Sequence, residues 1–221
     1  MALYIDSAFL NDIMLVMQTV PLAGITTNPS ILLAAHERGQ DESPHALLEA
    51  LLRTTNGLIF MQPGASEEEE MYAEALTYIQ VAPKRVIPKI PMTHTGMRVA
   101  RQLKQQQHRL AFTAVTSVAQ AYTAAMVGAD FIIPYYGRLE RSGIDACQRI
   151  SEMAKLLHDA HPTTRILVAS IKSPVEAVAA LAAGAHDITA VPQVLLDMVT
   201  HPLTDEAVEK FSNDWQQFLQ R

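Results

Sequence analysis

The sequence predicts an α/β protein, a single (β/α)8 TIM barrel with an additional C-terminal helix, and three observations point there. Short apolar, β-branched runs alternate regularly with helical patterns, as a parallel sheet requires. Eight such units fill the 221 residues with no second fold-like segment, which favours a closed barrel over an open doubly wound sheet. Hydrophobic residues make up 49% of the chain, enough for one sizeable core. Residues 1–221 are therefore read as one domain.

The candidate strands span residues 3–6, 24–27, 58–62, 86–90, 110–115, 131–135, 166–170 and 187–191. The helices between them carry start signals. Asn28-Pro29, Ser43-Pro44 and Ser173-Pro174 each place an N-cap residue before a proline at the first helical position. Ser66 and Glu69 have capping-box spacing. Gly128 and Gly184 fit helix C-terminal stops. An internal echo joins two units: Ser117-x-x-Gln-Ala leads to Gly128, and Ser173-x-x-Glu-Ala leads to Gly184 at the same spacing. Residues 36–42 form a polar connection. Residues 204–221 read as a final amphipathic helix, with Ala207, Val208, Phe211, Trp215 and Phe218 at helical spacing. That stripe packs either on its own barrel or on a neighbouring subunit.

Composition narrows the function. A net charge of -6 leaves no basic footprint for nucleic acid. Cys147 is the only cysteine, so neither an intrachain disulfide nor a cysteine-rich zinc site is available. No basic segment followed by an apolar one opens the chain, and no apolar run reaches membrane-spanning length. The expectation is a cytoplasmic protein with no membrane partner. The eight histidines are scattered, without ligand spacing to carboxylates. No glycine-rich phosphate loop is present. Neither a metal nor another cofactor is expected.

Barrel enzymes place their chemistry at the C-terminal ends of the strands. Polar residues stand late in seven of the apolar runs: Asp6, Asn28 just after its strand, Gln62, Lys89, Thr113, Tyr135 and Ser170. Burying one such group without a partner is costly, and seven on successive strands suggest a shared polar pocket. Lys89 is the sharpest of them. It sits in Val-Ile-Pro-Lys-Ile-Pro, and only six lysines exist in the chain. Apolar surroundings lower an amine's pKa, and a neutral amine can attack a carbonyl to form an imine. The competing structural role is a packed stem whose ammonium reaches solvent or pairs with Asp6. Asn28 serves as an N-cap and can touch a substrate as well. Asp6 binds hydroxyls or moves protons, or is itself an N-cap. Tyr135 is an acid/base candidate, and of Tyr135 and Tyr136 only one should face the interior. Arg138, in the loop after strand six, offers bidentate contact to phosphate, or pairs with Glu140. Lys172, before Ser173-Pro174, is a further phosphate candidate.

These residues resemble those of the small-transaldolase branch of the transaldolase superfamily, the fructose-6-phosphate aldolases. The matching stretches are Leu3-Tyr4-Ile5-Asp6, Thr26-Thr27-Asn28-Pro29-Ser30, Pro88-Lys89-Ile90-Pro91, Phe112-Thr113-Ala114-Val115, Pro134-Tyr135 with Arg138, Ala169-Ser170-Ile171-Lys172-Ser173-Pro174 and Asn213-Asp214-Trp215. The resemblance implies a class I aldolase, an aldehyde-lyase of carbohydrate metabolism. Lys89 forms the Schiff base, and Asp6, Gln62, Thr113 and Tyr135 are catalytic. Asn28, Arg138, Ser170 and Thr27 bind substrate. The implied partners are a sugar phosphate and a hydroxyketone, with fructose 6-phosphate formed from, or cleaved to, dihydroxyacetone and glyceraldehyde 3-phosphate. The implied assembly is a homo-oligomer, a decamer of two pentamers. Transaldolases look similar around the lysine but carry glutamate in the place of Gln62 and tend to have phenylalanine in that of Tyr135. Ile133 stands where the family has a small residue and should narrow the pocket. Gly137 replaces an asparagine, Gln62 is followed by Pro63-Gly64, and the loop after Arg138 lacks a glycine-rich run. Transaldolase activity and a non-catalytic sugar-phosphate-binding barrel stay open as alternatives.

Overall fold

The computed structural model describes residues 1–220, without the side chain of Asp159. Arg221, the end of the expected final helix, lies outside the described residues. In chain order the elements are β1 (Ala2–Asp6), α1 (Leu10–Met17), β2 (Gly24–Thr26), α2 (Pro29–Glu37), α3 (Pro44–Thr54), β3 (Leu58–Met61), α4 (Glu68–Val81), β4 (Val86–Pro91), α5 (His94–Gln105), β5 (Ala111–Val115), α6 (Val118–Met126), β6 (Phe131–Pro134), α7 (Tyr136–Arg141), α8 (Ala146–Ala160), β7 (Arg165–Ile171), α9 (Pro174–Ala182), β8 (Asp187–Ala190), α10 (Pro192–Asp197) and α11 (Pro202–Leu219). The eight strands are parallel and close into a barrel in sequence order. β8 returns to β1, with Thr189 opposite Tyr4. Among the described residues no helix is long and apolar enough to cross a membrane.

Strand alternation sorts the apolar residues into two cores. Inside the barrel, Tyr4, Phe60, Ile87, Ala111, Phe131, Ile133, Leu167 and Ala169 form one cluster. Residues of opposite parity, such as Ile5, Ile25, Ile59, Ile90, Phe112, Ile132 and Val168, join the helices in a larger outer one. The inner aromatics meet edge to face, with Phe60 5.0 Å from Phe131 and 5.5 Å from Tyr4 between centroids.

The start signals act as caps. The side chains of Asn28, Ser43 and Ser173 accept from the amides of Ile31, Ala46 and Glu176, each such cap contributing about 1 kcal/mol. The two echoing units match in detail. Ser117 and Ser173 cap helices of nine residues each, and each helix is followed by a glycine of positive φ, Gly128 at 85° and Gly184 at 108°. Three expectations are corrected. Ser66 and Glu69 form no capping box, because α4 starts at Glu68 behind the N-cap residue Glu67. Glu68, Glu69 and Glu70 instead fill its first turn, where carboxylates complement the helix dipole. Residues 138–141 belong to helix α7 and not to a loop. The final helix starts two residues before position 204, and none of its residues is buried. Its stripe therefore does not pack on its own barrel: Phe211, Trp215 and Phe218 are 66%, 58% and 66% exposed.

Two departures from regular pleating bear on function. The β5–β6 register shifts between Thr113 and Val115, and the β7–β8 register shifts between Val168 and Ile171. Each bulge contains a non-glycine residue in left-handed conformation, Ala114 at φ 58° and Ser170 at φ 61°. Such conformations cost about 1–3 kcal/mol and concentrate at functional sites.

Candidate active site

One cavity of about 510 Å³ opens at the C-terminal ends of the strands. Asp6, Asn28, Gln62, Lys89, Thr113, Tyr135, Arg138 and Ser170 all line it. These eight candidates come from seven strands or the residues just after them. Parity explains most of the set. Asp6, Gln62, Lys89, Thr113 and Tyr135 continue the inward alternation of the inner core. Ser170 has the wrong parity, since Ala169 points inward, and the bulge at φ 61° turns it into the cavity. A larger cleft of about 670 Å³ lies at the other end of β7 and β8, but its lysine, Lys155, is exposed to solvent.

Lys89 is 2% exposed. Its Nζ donates to the carbonyl oxygen of Thr27 at 2.8 Å. Burial pushes the amine below its ordinary pKa, and the charge on Asp6 only partly opposes this. Asp6 borders the cavity, and burial raises its carboxyl pKa against the pull of Lys89, a hydrogen bond from Thr26 and the charge of Lys172. That bond, from Thr26 Oγ1 to Asp6 Oδ1, is 2.6 Å long. The hydroxyls of Thr113 and Tyr135 lie 2.7 Å apart. Burial raises the Tyr135 phenol, and the Thr113 bond acts the other way. The Arg138 guanidinium sits 4.8 Å from the centre of the Tyr135 ring. Glu140, its proposed ion-pair partner, accepts instead from the Ala146 amide.

Thr27 is the exception. β2 ends at Thr26, whose side chain faces inward, so Thr27 points outward. Its fully buried hydroxyl donates to Phe60 O at 2.9 Å, and the residue reaches the site only through its carbonyl. The sequence motif offered two adjacent threonines, and strand parity selects the other one. The two adjacent tyrosines divide in the same way. Tyr135 enters the cavity, whereas Tyr136 joins the outer core with its hydroxyl 3.3 Å from Cys147 Sγ. Ile133 does face inward, but it is fully buried in the inner core and does not line the cavity. Gly137 is required by packing, because a Cβ there would sit 2.9 Å from Ser170 O. It lets α7, which carries Arg138, approach the β7 bulge closely.

Lys172 also lines the cavity, adding a second cation near Arg138. Sequence reasoning overlooked Thr26 and Thr189. Both are buried polar groups inside the barrel, and their Oγ1 atoms lie 2.7 Å apart. The criterion that picked the other strands, a polar residue late in an apolar run, applies equally to Ile-Thr-Ala in β8. Among the described residues no three His, Cys, Asp or Glu side chains converge to hold a metal ion.

Comparison with known proteins places these observations. The family model described as transaldolase/fructose-6-phosphate aldolase matches residues 3–221. A probable transaldolase of Clostridium kluyveri is 33% identical over 216 residues, covering 98% of each chain. One of Symbiobacterium thermophilum is 34% identical over 216 residues, covering 98% of this chain and 97% of its own. One of Desulforudis audaxviator is 34% identical over 221 residues, covering 100% of both. Among solved structures, a mutant flavocytochrome b2 with pyruvate bound superposes with a TM-score of 0.62 at 12% identity, over 88% of this chain and 57% of that one. That likeness concerns the barrel fold alone.

Proposed function

Because the chain belongs to the transaldolase/fructose-6-phosphate aldolase family, we propose that it is a class I aldolase, forming or cleaving fructose 6-phosphate, or a closely related hydroxyketone aldol, through a Schiff base at Lys89. One observation carries this reading: an amine that is 2% exposed, with its pKa lowered by burial, stands in a polar cavity at the catalytic end of a barrel.

The chemistry follows from that amine. Neutral Lys89 adds to the ketone carbonyl, and the carbinolamine hydroxyl takes a proton from solvent and leaves as water, giving an iminium; hydrolysis later returns that proton. Asp6 holds the donor hydroxyls together with Asn28, and its carboxylate takes up the proton of the hydroxyl at the breaking bond. The C–C bond beside the iminium then breaks, its electron pair flows to nitrogen, and the aldehyde leaves. The enamine that remains is protonated, and hydrolysis returns the amine and releases dihydroxyacetone. The paired hydroxyls of Thr113 and Tyr135, 2.7 Å apart, suit the holding of a water for that protonation, with Gln62 on the same cavity. Arg138, Ser170 and Lys172 line one side of the cavity and suit the acceptor phosphate. Thr27 acts through its carbonyl on Lys89, not as a substrate ligand.

Transaldolase is the second reading, favoured by the names of the matched relatives. It differs in handing the enamine to an acceptor aldose instead of protonating it. A neutral Gln62 and the Tyr135 hydroxyl support the aldolase. We further propose that α11 covers its exposed aromatic stripe on a second copy of the chain, since a free apolar face of this size is a contact surface.

Borohydride reduction in the presence of dihydroxyacetone tests the central claim. A covalent adduct is expected on Lys89 and is absent from Lys89→Met. Folded wild-type protein that is stabilised by a sugar phosphate but traps no adduct would be a binding barrel and not an aldolase.

A further inference from the structure

We infer that Thr189, on the one strand that contributes no residue to the proposed chemistry, is a positioning residue that orients Asp6 through Thr26 and keeps its carboxyl in the ionised form. The inference rests on the aldolase reading, in which Asp6 works as a carboxylate.

Three side chains form a chain inside the barrel. Thr26 Oγ1 donates to Asp6 Oδ1 at 2.6 Å, and Thr26 Oγ1 lies 2.7 Å from Thr189 Oγ1. Register explains how they meet. Thr26 is opposite Asp6 in the β1–β2 ladder, and Thr189 is opposite Tyr4 in the β1–β8 ladder, on the same inward face as Asp6. The two threonines thus approach each other across β1. Thr26 is 0% exposed and Thr189 1%, so no bulk water can replace either partner.

Proton counting sets the direction of the chain. A carboxylate only accepts, and a hydroxyl has one proton to give. Thr26 gives its proton to Asp6, so its oxygen accepts the proton of Thr189. Both hydroxyls then point toward the carboxylate. A proton on Oδ1 would reverse Thr26 toward Thr189 and leave the Thr189 proton without its acceptor, and a proton on Oδ2 would leave Thr26 donating to a neutral oxygen, a weaker bond than one to a carboxylate. The relay therefore opposes protonation of Asp6.

That opposition matters because burial pushes the Asp6 carboxyl the other way. The charged and titratable groups around it are Lys89 from β4 and Lys172 after β7, which both favour the carboxylate, and Tyr135 after β6, which is backed by Arg138 on α7. Asp187, the one acid of β8, starts that strand and is held by Arg165 at 2.7 Å through both oxygens.

Thr189→Val keeps the side-chain shape and removes the hydroxyl. Removing a donor that bears on a charged acceptor shifts a titration by about one unit, so the acidic limb of kcat/KM is expected to move up by about that much while the plateau above it is retained. Thr26→Val, which removes the direct donor, is expected to shift the limb further, and Thr189→Ser to restore it. Infrared titration of the unliganded protein follows the carboxyl band that Asp6→Asn removes, and should show the same order without reference to turnover. If the valine variant does not fold, Thr189→Ala is read in the same way. Limbs and carboxyl titrations that overlay on wild type overturn the inference, even where borohydride trapping upholds the aldolase. Failed trapping with a shifted carboxyl titration removes the aldolase and leaves the Thr189–Asp6 linkage standing.

Discussion

The Nζ of Lys89 is held 2.8 Å from the backbone carbonyl of Thr27, a neutral acceptor. A carbonyl fixes the position of an amine whether or not the amine carries a charge. A direct carboxylate partner would favour the ammonium much more strongly. The amine is thus fixed at the cavity while burial keeps its pKa down, the state that the proposed mechanism requires of it.

Folding stability should record this arrangement. Below its depressed pKa, Lys89 is charged in both states and the burial penalty is fully present. Between that pKa and the ordinary 10.5 the unfolded chain binds more protons than the folded one, so stability rises with pH across that window. Denaturant melts at stepped pH should show wild type gaining on Lys89→Met by up to about 1.4 kcal/mol per pH unit. Parallel curves would mean that the amine is solvated in the native state.

Tyr135→Phe removes the hydroxyl that pairs with Thr113. Its kcat is expected to fall about 10²–10⁴-fold, the usual contribution of a proton-transfer group. Trapping of the adduct at Lys89 should persist, because imine formation does not need this proton donor. Unchanged turnover would remove Tyr135 from the mechanism.

Thr27→Val should leave kcat and KM close to wild type, since the lost hydroxyl bonds to Phe60 O and the carbonyl that holds Lys89 stays in place. The expected cost is about 1 kcal/mol of stability, because Phe60 O keeps the amide of Thr27 at 3.0 Å. A collapse of activity in a variant that still folds would return Thr27 to the substrate contacts.

Gln62→Glu places a carboxylate where the resembling transaldolases carry one. With fructose 6-phosphate and erythrose 4-phosphate present, the ratio of transferred to free dihydroxyacetone should rise. A product assay that finds the same ratio in both proteins would show that Gln62 does not set the fate of the enamine.

The double change Trp215→Glu with Phe218→Glu puts two charges on the stacked aromatic pair of α11, whose centroids lie 5.5 Å apart. Sedimentation velocity should then report a smaller assembly than wild type. An unaltered mass would place the subunit contacts elsewhere.

The sequence by itself determined the barrel and most of the cavity lining. Eight repeated runs, their capping pairs and the period-two placement of Asp6, Gln62, Lys89, Thr113 and Tyr135 are local properties, and alternation along a strand carries them directly into the interior. Only the tertiary structure decided between Thr26 and Thr27, turned Ser170 inward, brought Arg138 onto Tyr135 and joined Thr189 to Asp6. Those outcomes depend on where each strand ends, on bulges that break the alternation, and on contacts across a closed ring between residues 163 positions apart. No local pattern encodes such a distance, because closing the barrel is what creates it.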